Sequence, residues 1–242
     1  MKSPAASSSY YAIRTLAMAT MLIDHIGAVF WPDVEMLRAV GRISYPLYAF
    51  GVACGWMHTH DRQKYIWLLL LVALIAQVFW PWLSFGGCNV VWGFVAVLVW
   101  MSWANPRISA MMRTQPRAMD VLAVGTSWGT LCAATALVGV DYAFETMVYV
   151  PLNCALLWMM RTHGRAPVWL PSLPSLLYVL LSAAFSDIVR PHLWVIALLA
   201  PVAIAFLHKE GKVAVAPWFH HLYFLFYPAH LALLYTVVAA IG

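Results

Sequence analysis

The sequence predicts an all-α protein, a polytopic membrane bundle of about nine transmembrane helices, and three observations carry the prediction. Of its 242 residues, 64% are hydrophobic and 10% charged, against about 45–50% and about 25% in an ordinary soluble domain. A soluble globule of this size cannot hide so much apolar surface, so the main solvent is lipid. The aromatic load, 13 Trp, 11 Tyr and 11 Phe, suits rings gathered at two membrane interfaces. At about 20 residues per crossing the length leaves no room for a separate soluble head, and residues 1–242 read as a single transmembrane domain.

Pro, Gly and charge clusters bound candidate spans at 13–31, 37–57, 65–84, 89–104, 119–139, 144–161, 172–187, 192–208 and 217–241. The connections are short, and the longest, 104–118, is too small to fold alone. One set of loops collects Lys2, Arg14, Arg62, Lys64, Arg107, Arg113, Arg117, Arg161, Arg165, Lys209 and Lys212. The other holds Asp33, Glu35, Asp141, Glu145 and Asp187, with Arg190 as its loop cation. The positive-inside rule then gives an N-in, C-out arrangement. The net charge of +5 reports these basic loops, and no nucleic-acid role follows from it. The run after Arg14 has no small-residue cleavage site behind it and reads as a retained first span.

Several function classes drop out. Cys54, Cys88, Cys132 and Cys154 show no CxxC spacing, so neither a zinc site nor a disulfide framework is expected. No GxSxG, P-loop, GxGxxG or HExxH pattern occurs, which removes the usual hydrolase, NTPase, dinucleotide and zinc-protease readings. No internal repeat pairs two halves around a midplane site, as many transporters have.

The informative residues are the polar ones within apolar runs. Span one places Asp24 and His25 inside LAMATMLIDHIGAVFW, where ionisable groups cost several kcal/mol unless paired or hydrated and therefore mark function. Adjacent helical positions point about 100° apart, so the two address different neighbours rather than each other. Span two carries Arg38 and Arg42 four residues apart. By helical rise, Arg42 lies about 8 Å and Asp24 about 10 Å deep, so they meet at one level; Arg38 reads as a snorkelling interfacial cation. Pro46 also leaves the carbonyl of Arg42 without its helical donor. In the last span His230 follows Pro228 at a depth overlapping that of His25, and is either a hydrogen-bonded core histidine or a site residue. His220 and His221 read as interfacial. Gln77, Asn89, Asn153 and Asp141-Tyr142 read as hydrogen-bonding positions between helices.

LIDHIGAVF at 22–30, GRISYPLYAFG at 41–51 and FYPAHLALL at 226–234 together resemble the TraX family of conjugative pilin acetyltransferases, which includes TrbP-like membrane proteins. Weaker similarity lies at NVVWGF, 89–94, and at Asp141-Tyr142, where Ala143 replaces the family's usual glycine. The resemblance implies a bacterial inner-membrane enzyme that moves an acetyl group from acetyl-CoA to the N-terminal amine of a pilin subunit. It carries over Asp24, His25, Arg42 and His230 as catalytic candidates. Within that reading a neutral His25 is the general base, Arg42 steadies the thioester oxyanion or a CoA phosphate, and Lys209 and Lys212 join Arg42 in binding the anionic donor. The rivals are a proton-coupled transporter, which also needs Asp, His and Arg at mid-depth, and a non-catalytic pilus-assembly protein.

Overall fold

A backbone in hydrocarbon has no water to bond, so each apolar run closes its own N–H and C=O groups by becoming a helix. The computed structural model describes residues 4–83, 85–113, 117–163, 167, 169–185, 196–208 and 216–241. In chain order the α-helices are α1 (Pro4–Phe30), α2 (Glu35–Gly41), α3 (Ser44–His58), α4 (Arg62–Phe79), α5 (Val90–Arg113), α6 (Ala118–Leu137), α7 (Ala143–His163), α8 (Leu173–Phe185), α9 (Leu199–Leu207) and α10 (Pro217–Ile241). Short 3₁₀ turns occupy Pro81–Leu83 and Leu170–Ser172. The protein is all-α, with Tyr10–Phe30, Arg62–Phe79, Ala143–Thr162 and Trp218–Ile241 long and apolar enough to cross a membrane.

Apolar side chains cover the outside as well as the core. On α4 the exposed Trp67, Leu71, Leu74 and Val78 recur at helical spacing, whereas Leu69, Val72, Ala73 and Ala76 face inward. Polar side chains lie in the middle: Asn89, Thr146 and Ser175 are fully buried, and Asn153 nearly so. Greasy outside and hydrogen-bonded inside is the arrangement a bilayer imposes. Gln77 and Asn89 show how the interior is satisfied, since the Asn89 amide donates to Gln77 Oε1 at 2.9 Å and to the Ala73 carbonyl at 3.1 Å.

The expected span at 37–57 is two helices, broken at Arg42–Ile43. Pro46 belongs to the first turn of α3, where its missing N–H costs nothing, and the Ser44 hydroxyl donates to the Gly41 carbonyl at 2.7 Å across the break. The expected connection at 104–118 is mostly helical, because α5 runs through Pro106 to Arg113, with Arg107 donating to the Trp103 carbonyl at 2.8 Å. Arg14, expected in the basic boundary, is buried with its guanidinium 4.0 Å from the Tyr223 ring and 4.1 Å from the Tyr10 ring. His220 and His221 are exposed, as expected.

Two loops are tied together by a single bridge. Cys88 N–H donates to the Gly139 carbonyl and Asp141 N–H to the Cys88 carbonyl, both at 2.9 Å. Gly87 and Gly139 supply positive φ of 64° and 72°, and a Cβ on Gly87 would overlap the Gly139 carbonyl. This clamp holds Asp141 and Tyr142 against the α1–α3 end of the bundle. A nitroxide at Leu71 or Leu74 in reconstituted protein should be relaxed by oxygen and shielded from a water-soluble nickel complex; strong nickel relaxation would contradict the lipid-facing assignment.

Candidate functional site

A cavity of about 270 Å³ opens between α1, α2, α3, α4 and α10. Asp24, His25, Arg38, Arg42, Asp141 and Tyr142 supply much of its polar wall, and the rings of Tyr48, Tyr223 and Tyr227 line another part. The conserved geometry of an α-helix brings Asp24 and His25 here from successive positions of α1, and they do address different partners.

Asp24 pairs with Arg38, at 2.8 Å between Oδ2 and Nη1, and Arg38 Nη1 also reaches the Asp24 carbonyl at 3.3 Å. Arg38 is thus no snorkelling cation; it makes the direct ion pair, and Arg42, on the wall of the same cavity, adds to the positive field at Asp24. Arg42 donates to the Tyr142 hydroxyl at 2.8 Å. Arg42 stays in register with α2: it caps the helix in an αR conformation with its N–H on the Arg38 carbonyl at 3.3 Å, so the two arginines stand one turn apart on the wall of the cavity. Gly41 itself packs against the Asp24 carboxylate, where a Cβ would overlap it. Tyr142 takes a positive φ of 53° and its ring lies parallel to that of Tyr45 at 4.3 Å.

His25 and His230 are both buried, at 6% and 4% exposure, and His25 Nδ1 lies 2.6 Å from His230 Nε2. Their rings are within 15° of parallel with centroids 4.9 Å apart, as an in-plane N–H···N bond requires. His230 Nδ1 is 2.8 Å from the Phe226 carbonyl, which can only accept, so Nδ1 carries the proton. Neutral His230 then presents a lone pair at Nε2, and His25 Nδ1 must be the donor. His25 Nε2 is left as an acceptor, 4.0 Å from Asp24 Oδ2. Trp80 and Phe85 pack beside the His25 ring at 5.9 and 5.1 Å. Since His25 lines the cavity and His230 sits behind it, the second ring acts through the first.

The structure thus joins Asp24, His25, Arg42 and His230 in one region. Lys209 and Lys212 lie outside the described residues, as do Asp187 and Arg190. Arg38 and Tyr142 are the partners that sequence reasoning undervalued; the signal for Arg38 was its place four residues before Arg42, on the same helical face. Among the described residues no group of three or more His, Cys, Asp or Glu side chains could hold a metal ion.

Comparison with known proteins gives the family. The family model described as TraX protein matches residues 9–238. The chain belongs to the TraX family. It is 27% identical to the probable fimbrial assembly protein FimC, serogroup H1, of Dichelobacter nodosus, over 93% of this chain and 94% of that protein. It is 26% identical to Protein TraX of Escherichia coli, over 92% of this chain and 84% of that one. An uncharacterized protein of Rickettsia prowazekii is 42% identical over 67 residues, 28% of this chain and 25% of its own length. No solved structure matches.

Two outcomes follow from the charges. Arg38→Ala should lower stability by about 1–3 kcal/mol by leaving Asp24 uncompensated, discounted for the partial exposure of the arginine. Adding Asp24→Asn should restore much of that loss in melting curves; failure to restore it would show that the pair is not the source. Burial pushes the Asp141 carboxyl up to about 6, against the opposing pull of Arg42. The fold thus favours the protonated acid, a contribution present below the unfolded value of about 4 and lost as pH rises through about 6. The melting point of the unaltered chain relative to Asp141→Asn should fall over that window, and a flat difference would contradict the burial.

Proposed function

We propose that this TraX-family protein is an inner-membrane N-acetyltransferase that moves an acetyl group from acetyl-CoA to the N-terminal amine of a pilin subunit. The observation that carries the reading is the His25–His230 contact at the cavity wall, whose hydrogen-bond pattern assigns the His25 proton to Nδ1 and leaves Nε2 as the acceptor. An amine must shed a proton to attack a thioester, and a neutral imidazole within reach accepts it. The C–N bond forms as the C–S bond breaks, and the proton taken by His25 is returned to the departing thiolate. Asp24 stands near enough to steady the transient imidazolium, while Arg42 answers the charge that develops on the thioester oxygen. His230 is a positioning residue: it holds the His25 proton on Nδ1.

The cavity size also fits. About 270 Å³ is just below the roughly 300 to 1,000 Å³ of pockets that enclose a whole ligand, which suits a thin thioester arm with the nucleotide left outside. The excess of cations in one set of loops supports an N-in bundle with an anionic donor on the cytoplasmic side, where Lys209 and Lys212 would meet its phosphates. The printed names of two relatives, a fimbrial assembly protein and TraX itself, support a pilus-related acceptor. The first of those names also favours a second reading, a non-catalytic assembly protein.

Intact-mass measurement of a co-expressed pilin separates the two. The account expects one added acetyl group at the N-terminus with the unaltered chain and none with His25→Ala, whose binding of acetyl-CoA should persist because the imidazole acts on the acceptor's proton. Arg42→Ala should reduce transfer about 10²-fold. Transfer should decline as pH is lowered enough to protonate the base. Full acetylation by His25→Ala would remove it as base, and an unmodified pilin in a piliated cell would favour the assembly reading.

A further inference from the structure

The hydroxyls of Tyr48, Tyr223 and Tyr227 are buried and have no hydrogen-bond partner among the described residues, yet all three side chains line the cavity. Buried polar atoms are nearly always bonded, and each orphan costs desolvation without return. Arg14 Nη1, Trp92 Nε1 and Asn153 Oδ1 are also without a partner among the described residues, but only the three tyrosines share the wall of the cavity, where a bound molecule can supply the partners. The rings are firmly held. Tyr48 on α3 lies nearly parallel to Tyr223 at 5.3 Å and 20°, Arg14 covers the Tyr223 ring at 4.0 Å, and a Cβ on Gly51 would come within 2.9 Å of the Tyr223 hydroxyl.

Their order along α10 says what they suit. Tyr223, Tyr227 and His230 recur at i, i+4 and i+7, one helical face leading to the histidine pair. Tyr223 and Tyr227 are separated by a rise of about 6 Å, close to the repeat of a β-alanyl amide chain, which is one bond longer than the ~3.8 Å peptide repeat. The wall carries neutral hydroxyl donors and the aliphatic side chains of Val52, Leu69 and Val72, which match a thin, uncharged chain with carbonyl acceptors and poorly match a nucleotide. We propose that Tyr48, Tyr223 and Tyr227 form the subsite for the amide-bearing pantetheine arm of a thioester donor, which it threads toward His25. The inference rests on the acyl-transfer reading and specifies which residues grip the donor.

The test uses the full chain in nanodiscs, with CoA and S-acetylpantetheine as separate probes. Tyr48→Phe, Tyr223→Phe and Tyr227→Phe keep the rings and delete only the hydroxyls. Each should weaken both probes by the same factor, about fivefold, and raise KM for acetyl-CoA with little change in kcat. The melting point of the ligand-free variants should stay level or rise, since an unsatisfied group has been removed; a structural role would lower it. If the unaltered chain binds both probes and the Phe variants bind them equally well, ordered water satisfies the hydroxyls and the subsite is overturned while the enzyme reading stands. Loss for CoA but not for S-acetylpantetheine would place the contacts on the nucleotide and also overturn it. If the unaltered chain binds neither probe, the acyl-transfer reading falls, and the subsite with it.

Discussion

Ionisable groups inside an apolar bundle persist only when the protein itself answers them, and that constraint organises this molecule. Asp24 is met by Arg38, Arg42 by Tyr142, and His25 by His230, which in turn is anchored on the Phe226 carbonyl. Asp24–Arg38 joins α1 to the next helix, while Arg42–Tyr142 and His25–His230 reach 100 and 205 residues along the chain. The polar cluster is therefore a structural junction as well as a candidate site, and the two roles share residues. What distinguishes the site is the His25 Nε2 lone pair, which the His25–His230 bond leaves over on a residue that lines the cavity.

Local chain geometry is what makes the network fit. The two arginines, one turn apart at the end of α2, take different partners, and the close approach of Gly41 to Asp24 lets α2 pack against α1. At the opposite wall the Gly87–Gly139 clamp presents Tyr142 in a left-handed conformation that ordinary residues rarely adopt. Backbone strain of this kind tends to accompany sites where side-chain direction matters more than local comfort. Here it aims a hydroxyl at a guanidinium that would otherwise be hard to satisfy in lipid.

Much of this was legible in the sequence. The composition fixed lipid as solvent, and Asp24, His25, Arg42 and His230 stood out because ionisable residues are costly in apolar spans. The depth estimate for His25 and His230 succeeded because both lie on long uninterrupted helices, where rise per residue is a reliable ruler. The same ruler put Arg42 near the level of Asp24 but could not say which arginine makes the direct pair, because both stand within one helical turn of that level. Tyr142 was undervalued because its role depends on a loop-to-loop bridge between Cys88 and Val140, residues 52 positions apart, and no local periodicity reports such a pairing. The buried tyrosines were invisible for a different reason: in a chain with 11 Tyr nothing distinguishes a packing ring from one whose hydroxyl has been left unsatisfied.

The central claim is the proton arrangement that makes His25 Nε2 an acceptor. Nitrogen-15 NMR of histidine-labelled protein in bilayers reads it without reference to catalysis. The account predicts a neutral His25 with its proton on Nδ1, an unprotonated Nε2, and a scalar coupling across the His25 Nδ1–H···Nε2 His230 bond that vanishes in His230→Phe. A proton resident on His25 Nε2 at neutral pH, or the absence of coupling between the two rings, would contradict it.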